Sequence, residues 1–226
     1  MKIAFIGDSY CEAITDGSWL FFIAEEYNAN IIANGIGGRH LFHAYEVLLD
    51  VVDEADYIIF CISEPYRVPN KHGMHITPLH YGTDYEHLKG ELETFHQLYY
   101  NDFISFKWHE VAQKGLLMQI DELMLQKKKK CIWFPSFDTS MQGFIPKSGP
   151  ITDVSLLPLS DTELLHLNLT PESRYKLRGN DILRLNHFNE ENNKRMSELI
   201  IDIINNDNFT PRLICMDLYF KGLKEL

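Results

Sequence analysis

No two of the four cysteines stand in C-x-x-C spacing. Cys11, Cys61, Cys131 and Cys215 are scattered singly and three of them lie in apolar segments, so buried reduced thiols are expected rather than a disulfide or zinc framework. Cations are scarce: 21 Lys+Arg face 32 Asp+Glu, a net charge of −11 over 226 residues. Such a chain has no large basic surface with which to neutralise phosphates, which argues against a general nucleic-acid binder and against docking on anionic membranes. No apolar run approaches membrane-spanning length. No charged-then-apolar leader precedes the first apolar run, so a cytoplasmic address is expected and the sequons at Asn168 and Asn208 carry little weight. Internal repeats, low-complexity segments and a G-x-x-x-x-G-K-[ST] phosphate loop are also missing.

What is present is an alternation of short apolar runs with longer helical patterns. Strands are expected at 2–6 (KIAFI), 30–34 (NIIAN), 57–62 (YIIFCI) and 131–135 (CIWFP). The runs are rich in β-branched and aromatic residues without polar alternation, as in strands buried on both faces. Helices are expected near 18–28, 40–53, 84–100, 102–126 and 189–206, with Met196, Leu199, Ile200, Ile203 and Ile204 on one face of the last. Lys127 to Lys130 read as a solvated helix end. Residues 136–180, with four prolines, read as an irregular insertion holding one short strand and a short helix at 160–167. Residues 208–226 read as a C-terminal extension, with RLICMDLYF an extra strand or a packed tail. One α/β domain over 1–226 is expected, with a parallel sheet covered on both faces and ligands bound beyond the carboxyl ends of its strands.

Ser9, Gly38 and Ser63 all fall just after expected strand ends. A serine nucleophile needs a base within hydrogen-bond reach, a group that orients the base, and N–H donors for the oxyanion. Asn34-Gly35-Ile36-Gly37-Gly38 offers backbone that can approach closely, and His187 stands immediately before the last helix. The dinucleotide alternative is poor, because GIGGRH is not G-x-G-x-x-G and follows the second strand rather than the first.

With these residues in order, the chain resembles the SGNH (GDSL-type) hydrolases. Ile6-Gly7-Asp8-Ser9 matches the first block, with Ser9 in the nucleophile's place; in NGIGGR, Gly38 matches the oxyanion glycine. In the third block Ser63 takes the place of the family's Asn and Glu64 that of its acidic residue. In the last block His187 matches the base, while Arg184 stands where the family's acid should be. The resemblance implies a three-layer α/β/α flavodoxin-like fold with a central parallel sheet of about five strands. It implies a serine ester hydrolase acting on an O-acyl group of a carbohydrate or another small ester, with no metal and no organic cofactor. Asp181 is the expected partner of His187, with Glu190, Glu191 or a backbone carbonyl as the other groups that could orient the ring. A chain of this fold that binds a ligand or partner without turning it over is the competing expectation.

Arg39, Arg67 and Arg184 each stand beside one of the later blocks. Either they pair with Asp8, Glu64 and other nearby carboxylates, or they form a rim that receives an anionic group on the substrate. His72, His75, His80, His87, His96 and His109 match no familiar metal-ligand spacing and read as loop and helix-surface residues. The loop 63–83 is long enough to act as a lid or binding loop.

Overall fold

The central apolar runs form strands because both of their faces are covered. In β1 (Lys2–Ile6), Ile3 and Phe5 enter one core while Ala4 and Ile6 enter another. The same division separates Ile59 and Cys61 from Ile58, Phe60 and Ile62 in β3 (Tyr57–Ile62). It also separates Ile132 and Phe134 from Cys131 and Trp133 in β6 (Lys130–Pro135). Successive side chains of a strand point to opposite faces, so a run that is apolar throughout must lie between two layers.

The computed structural model describes residues 1–12, 14, 16–69, 75–76, 94–95, 98–137, 143–156, 188 and 190–220. Among these, β1, β2 (Asn30–Ala33), β3, β6, β7 (Ile151–Thr152) and β8 (Leu213–Ile214) form one sheet in the order β2-β1-β3-β6-β7-β8. Every neighbouring pair in it is parallel. A small antiparallel pair, β4 (Val68–Pro69) and β5 (His75–Ile76), stands apart from it. Helices α1 (Trp19–Glu26) and α4 (Glu190–Asn205) supply the first core, and α2 (Leu41–Val51) and α3 (Phe106–Gln126) the second. The architecture is a three-layer α/β/α sandwich.

Local chemistry sets the helix ends. Ser18 Oγ accepts from the Phe21 N–H at 3.2 Å and caps α1, and Ser105 Oγ does the same for Trp108 at the start of α3. The α2 cap is a histidine, His40 Nδ1 accepting from the His43 N–H at 3.1 Å. The lysine run does more than end a helix. Lys127 Nζ meets Asp53 at 2.7 Å, Lys130 Nζ meets Asp207 at 2.6 Å, and Lys129 Nζ donates to the carbonyls of Asp53 and Ala55 just past α2.

Among the described residues the sheet has six strands where about five were expected: the short strand expected within 136–180 is Ile151–Thr152, and of the two readings of RLICMDLYF the strand is found, at Leu213–Ile214. Ile151 in 136–180 pairs with Trp133, and Leu213 in 208–226 pairs with Ile151. Segment 143–150 is fastened to α3 by Asp121, whose carboxylate accepts from the Lys147 and Ser148 N–H groups at 2.8 and 2.9 Å. All four cysteines are free thiols; Cys11, Cys61 and Cys131 are buried, whereas Cys215 is exposed beside the sheet's last strand. The expected helix at 160–167 and most of that at 84–100 lie outside the described residues, and no described helix is long and apolar enough to cross a membrane.

Candidate functional site

In a doubly wound sheet the crevice opens where the strand order reverses, and here that point lies between β1 and β3. Gly7 closes β1 at φ 143°, and a Cβ there would collide with the Cys61 carbonyl oxygen of β3. Only glycine permits that backbone and that approach. The next residue, Asp8, is fully buried and caps the short 3₁₀ turn Ser9–Cys11, its Oδ1 accepting from the Tyr10 N–H at 3.2 Å. Ser9 is thus the first residue of a turn held by its predecessor's carboxylate, and it is half-buried.

The loop after β2 is zipped onto this turn. Gly35 N–H donates to the Cys11 carbonyl at 2.7 Å, Ile36 N–H to Gly7 at 3.2 Å, and Asn34 Nδ2 to Glu12 at 2.5 Å. A Cβ on Gly35 would lie 2.5 Å from both the Asp8 carbonyl oxygen and Cys11 Sγ. Gly38 sits in the following turn at φ 71°, and Arg39 N–H closes that turn on the Ile36 carbonyl. Ser9, Gly38 and Ser63 therefore stand on loops at the carboxyl ends of three adjacent strands.

Ser63 is 2 % exposed, and its Oγ has no hydrogen-bond partner among the described residues. Its carbonyl accepts from Gln113 Nε2 of α3 at 3.0 Å, which fixes the backbone and leaves the hydroxyl unspent. Four residues on, Arg67 is buried against Glu64, Nε donating to Oε1 at 3.1 Å. Its Nη1 donates to the Arg39 carbonyl at 3.1 Å and lies 3.8 Å from Asp8 Oδ2, and its guanidinium carbon stands 5.0 Å from the centre of the Phe137 ring. Tyr66, between them in sequence, donates to Glu110 at 2.7 Å; burial, with help from Glu110, pushes its hydroxyl up to about 12.

No protein-family model matches the chain. No curated protein matches it either. Among solved structures it is similar to an acetyl xylan esterase at 13 % identity and a TM-score of 0.41, covering 100 % of this chain and 83 % of that one.

Sequence reasoning missed two residues, one that the folded chain brings to Asp8 and one that it brings to Tyr10 and Arg67. Ser136, the first residue after β6, donates its hydroxyl to Asp8 Oδ1 at 3.1 Å, and its N–H donates to the Ile62 carbonyl at the end of β3. The rule that picked out Ser9 and Ser63, a polar residue just past a parallel strand, would have found it. Phe137 follows and packs edge-on against Tyr10. His187, Asp181 and Arg184 lie outside the described residues, as do most of the loop 70–83 and the histidines at 72, 80, 87 and 96. Phe188 is described: it is 3 % exposed, its ring centroid is 5.6 Å from that of Tyr10, and its carbonyl accepts from Asn193 Nδ2 at 3.1 Å. Asn193 in turn accepts from the Trp19 N–H, and Trp19 Nε1 donates to the Tyr10 carbonyl at 3.0 Å. His109, the last of the six singled-out histidines, shares a 2.9 Å hydrogen bond with the Tyr99 hydroxyl.

Burial pushes the Asp8 carboxyl above its usual range, while Arg67 and the hydrogen bonds from Tyr10 and Ser136 pull the other way. A carboxyl raised in the folded chain contributes stability that is complete below its unfolded pKa, near about 4, and is lost as pH rises through the folded value. The melting temperature of the parent relative to Asp8→Asn is therefore expected to fall as pH is raised from about 4 towards neutrality. Thermal melts of both proteins across that range check it; a difference that grows with pH contradicts the sign.

Proposed function

We propose that the chain is a serine ester hydrolase of SGNH type that removes an O-acyl group from a carbohydrate or small ester. The observation that carries the reading is the packing of Phe188 on Tyr10. These are the chain neighbours of His187 and Ser9, and the Asn193–Trp19 hydrogen bonds fasten the same two segments. In this reading Ser9 Oγ attacks the acyl carbonyl, and His187 takes the hydroxyl proton and then gives it to the departing alcohol. The N–H groups of Ser9 and Gly38 and the hydroxyl of Ser63 meet the oxyanion, and water releases the acyl group in a second cycle. Asp181 holds the His187 ring. The unspent Ser63 hydroxyl supports its part: a buried hydroxyl without a partner costs about 1–3 kcal/mol, and an oxyanion would satisfy it.

A fluorophosphonate probe tests the reading directly. It is expected to attach to Ser9, with labelling lost in Ser9→Ala and His187→Ala; attachment elsewhere, or none, rejects it. Substrate charge is a separate question. Arg67 stands among two carboxylates, those of Glu64 and Asp8, and so brings no surplus positive charge. Recognition of an anionic group on the substrate, with Arg39 and Arg184 as its cations, is expected to show in Arg39→Ala. That change should lower kcat/KM for a hemisuccinate ester about five- to tenfold and leave a neutral acetate ester unaffected. Equal effects on both esters would remove the anionic group from the proposal.

A further inference from the structure

Arg67 is placed unlike a rim cation. It is 6 % exposed, and its one guanidinium reaches a loop after each of three neighbouring strands. It meets Asp8 after β1, the Arg39 carbonyl after β2 and Glu64 after β3. Those loops carry Ser9, Gly38 and Ser63. Asp8 needs such a partner. Its Oδ1 is occupied by the Tyr10 N–H and the Ser136 hydroxyl, and its Oδ2 has no hydrogen bond among the described residues, only the charge of Arg67 at 3.8 Å. A buried carboxylate without a counter-charge is strongly disfavoured, so removing Arg67 would leave Asp8, and Glu64 beside it, to protonate or to turn away.

We propose that Arg67 is a positioning residue, which sets the nucleophile turn in register with the two loops that supply the oxyanion donors. It does so by compensating Asp8 and by holding the Arg39 carbonyl. The proposal rests on the reading of Ser9 as the nucleophile. The planar fork matters as much as the charge, because the arginine addresses several acceptors at fixed angles where a lysine presents one point charge.

The test measures p-nitrophenyl acetate turnover and fluorophosphonate labelling of Ser9 in the full chain and in Arg67→Lys, Arg67→Met, Asp8→Asn and the Asp8→Asn/Arg67→Met double variant. Arg67→Met is expected to lower kcat by about tenfold or more with KM within about twofold of the parent, and Arg67→Lys to fall between. Removing the Asp8 charge as well should recover about tenfold of that loss, since the uncompensated carboxylate is then gone. Additive effects, or a loss carried by KM, would assign Arg67 to direct substrate contact and overturn the proposal. If Arg67→Met does not fold, the lysine variant decides: lower kcat at unchanged KM supports the proposal, and unchanged kcat overturns it. A parent labelled at Ser9 with every variant reacting equally fast overturns this proposal alone. A parent not labelled at Ser9 overturns the nucleophile reading and this proposal with it.

Discussion

Ser9→Ala is expected to remove ester turnover almost completely, by a factor on the order of 10⁴ to 10⁶, as when the nucleophile of a serine protease is deleted. His187→Ala should cost a comparable factor, and the double variant little more than either alone, because the two act as one unit. The fold should survive the change at position 9. The turn Ser9–Cys11 is capped by the carboxylate of Asp8 through the Tyr10 N–H, and that bond does not involve the Ser9 side chain. Turnover of p-nitrophenyl acetate beside circular dichroism separates the two effects. Retention of more than about a tenth of parental turnover in a folded Ser9→Ala protein would mean that the nucleophile lies elsewhere.

Gly7→Ala is expected to be the most damaging single-methyl change near the site. The new Cβ would lie 2.2 Å from the Cys61 carbonyl oxygen, and the backbone at φ 143° is one that L residues rarely adopt. Neither obstacle is a flexible side chain. Cys61 belongs to β3, whose residues on both sides are fully buried, so relief requires parting β1 from β3 at the centre of the sheet. Backbone strain and overlap together are expected to cost about 3–5 kcal/mol, which for a chain of this size lowers the melting temperature by about 10 °C or more. Thermal unfolding followed by circular dichroism gives the number; a shift under about 3 °C would show that the two strands can separate cheaply.

The strands that run through both cores were legible because burial on two faces leaves a signature in single residues. Nothing polar interrupts YIIFCI, and the matching strand is Tyr57–Ile62. The last helix was legible from Met196 to Ile204, and it runs Glu190–Asn205. β7 and β8 show only faintly, as a short strand somewhere in 136–180 and as one of two readings of RLICMDLYF. Each is two residues long and defined by backbone pairing, with Ile151 N–H donating to Arg212 and Asp153 N–H to Ile214, and backbone pairing leaves no trace in residue type.

The candidate site divides along the same line. Ser9, Gly38 and Ser63 could be found because each follows a recognisable strand. Arg67 could be noticed but not placed. Pairing with Asp8 and Glu64 and binding an anion were both open, and only the folded loops show the guanidinium among carboxylates. Asn193, in the polar run NEENNKRM, reads as a surface residue, yet it is fully buried because Trp19 N–H and the Phe188 carbonyl require it.

Among the described residues, the two borders of the six-stranded sheet are short. β2 offers four residues and β8 two, with a lone Leu213 exposed on the latter. An open sheet border is a template on which another chain can add a strand, and its danger grows with the number of unpaired N–H and C=O groups in line. Borders this brief give an intruding strand few hydrogen bonds before it runs out of ladder. The apolar segments with the highest strand propensity, YIIFCI and CIWFP, lie in the middle of the sheet with neighbours on both sides. The order of the strands therefore also guards against fibrous self-association, keeping the segments best suited to stack between chains away from other molecules for as long as the sheet is closed.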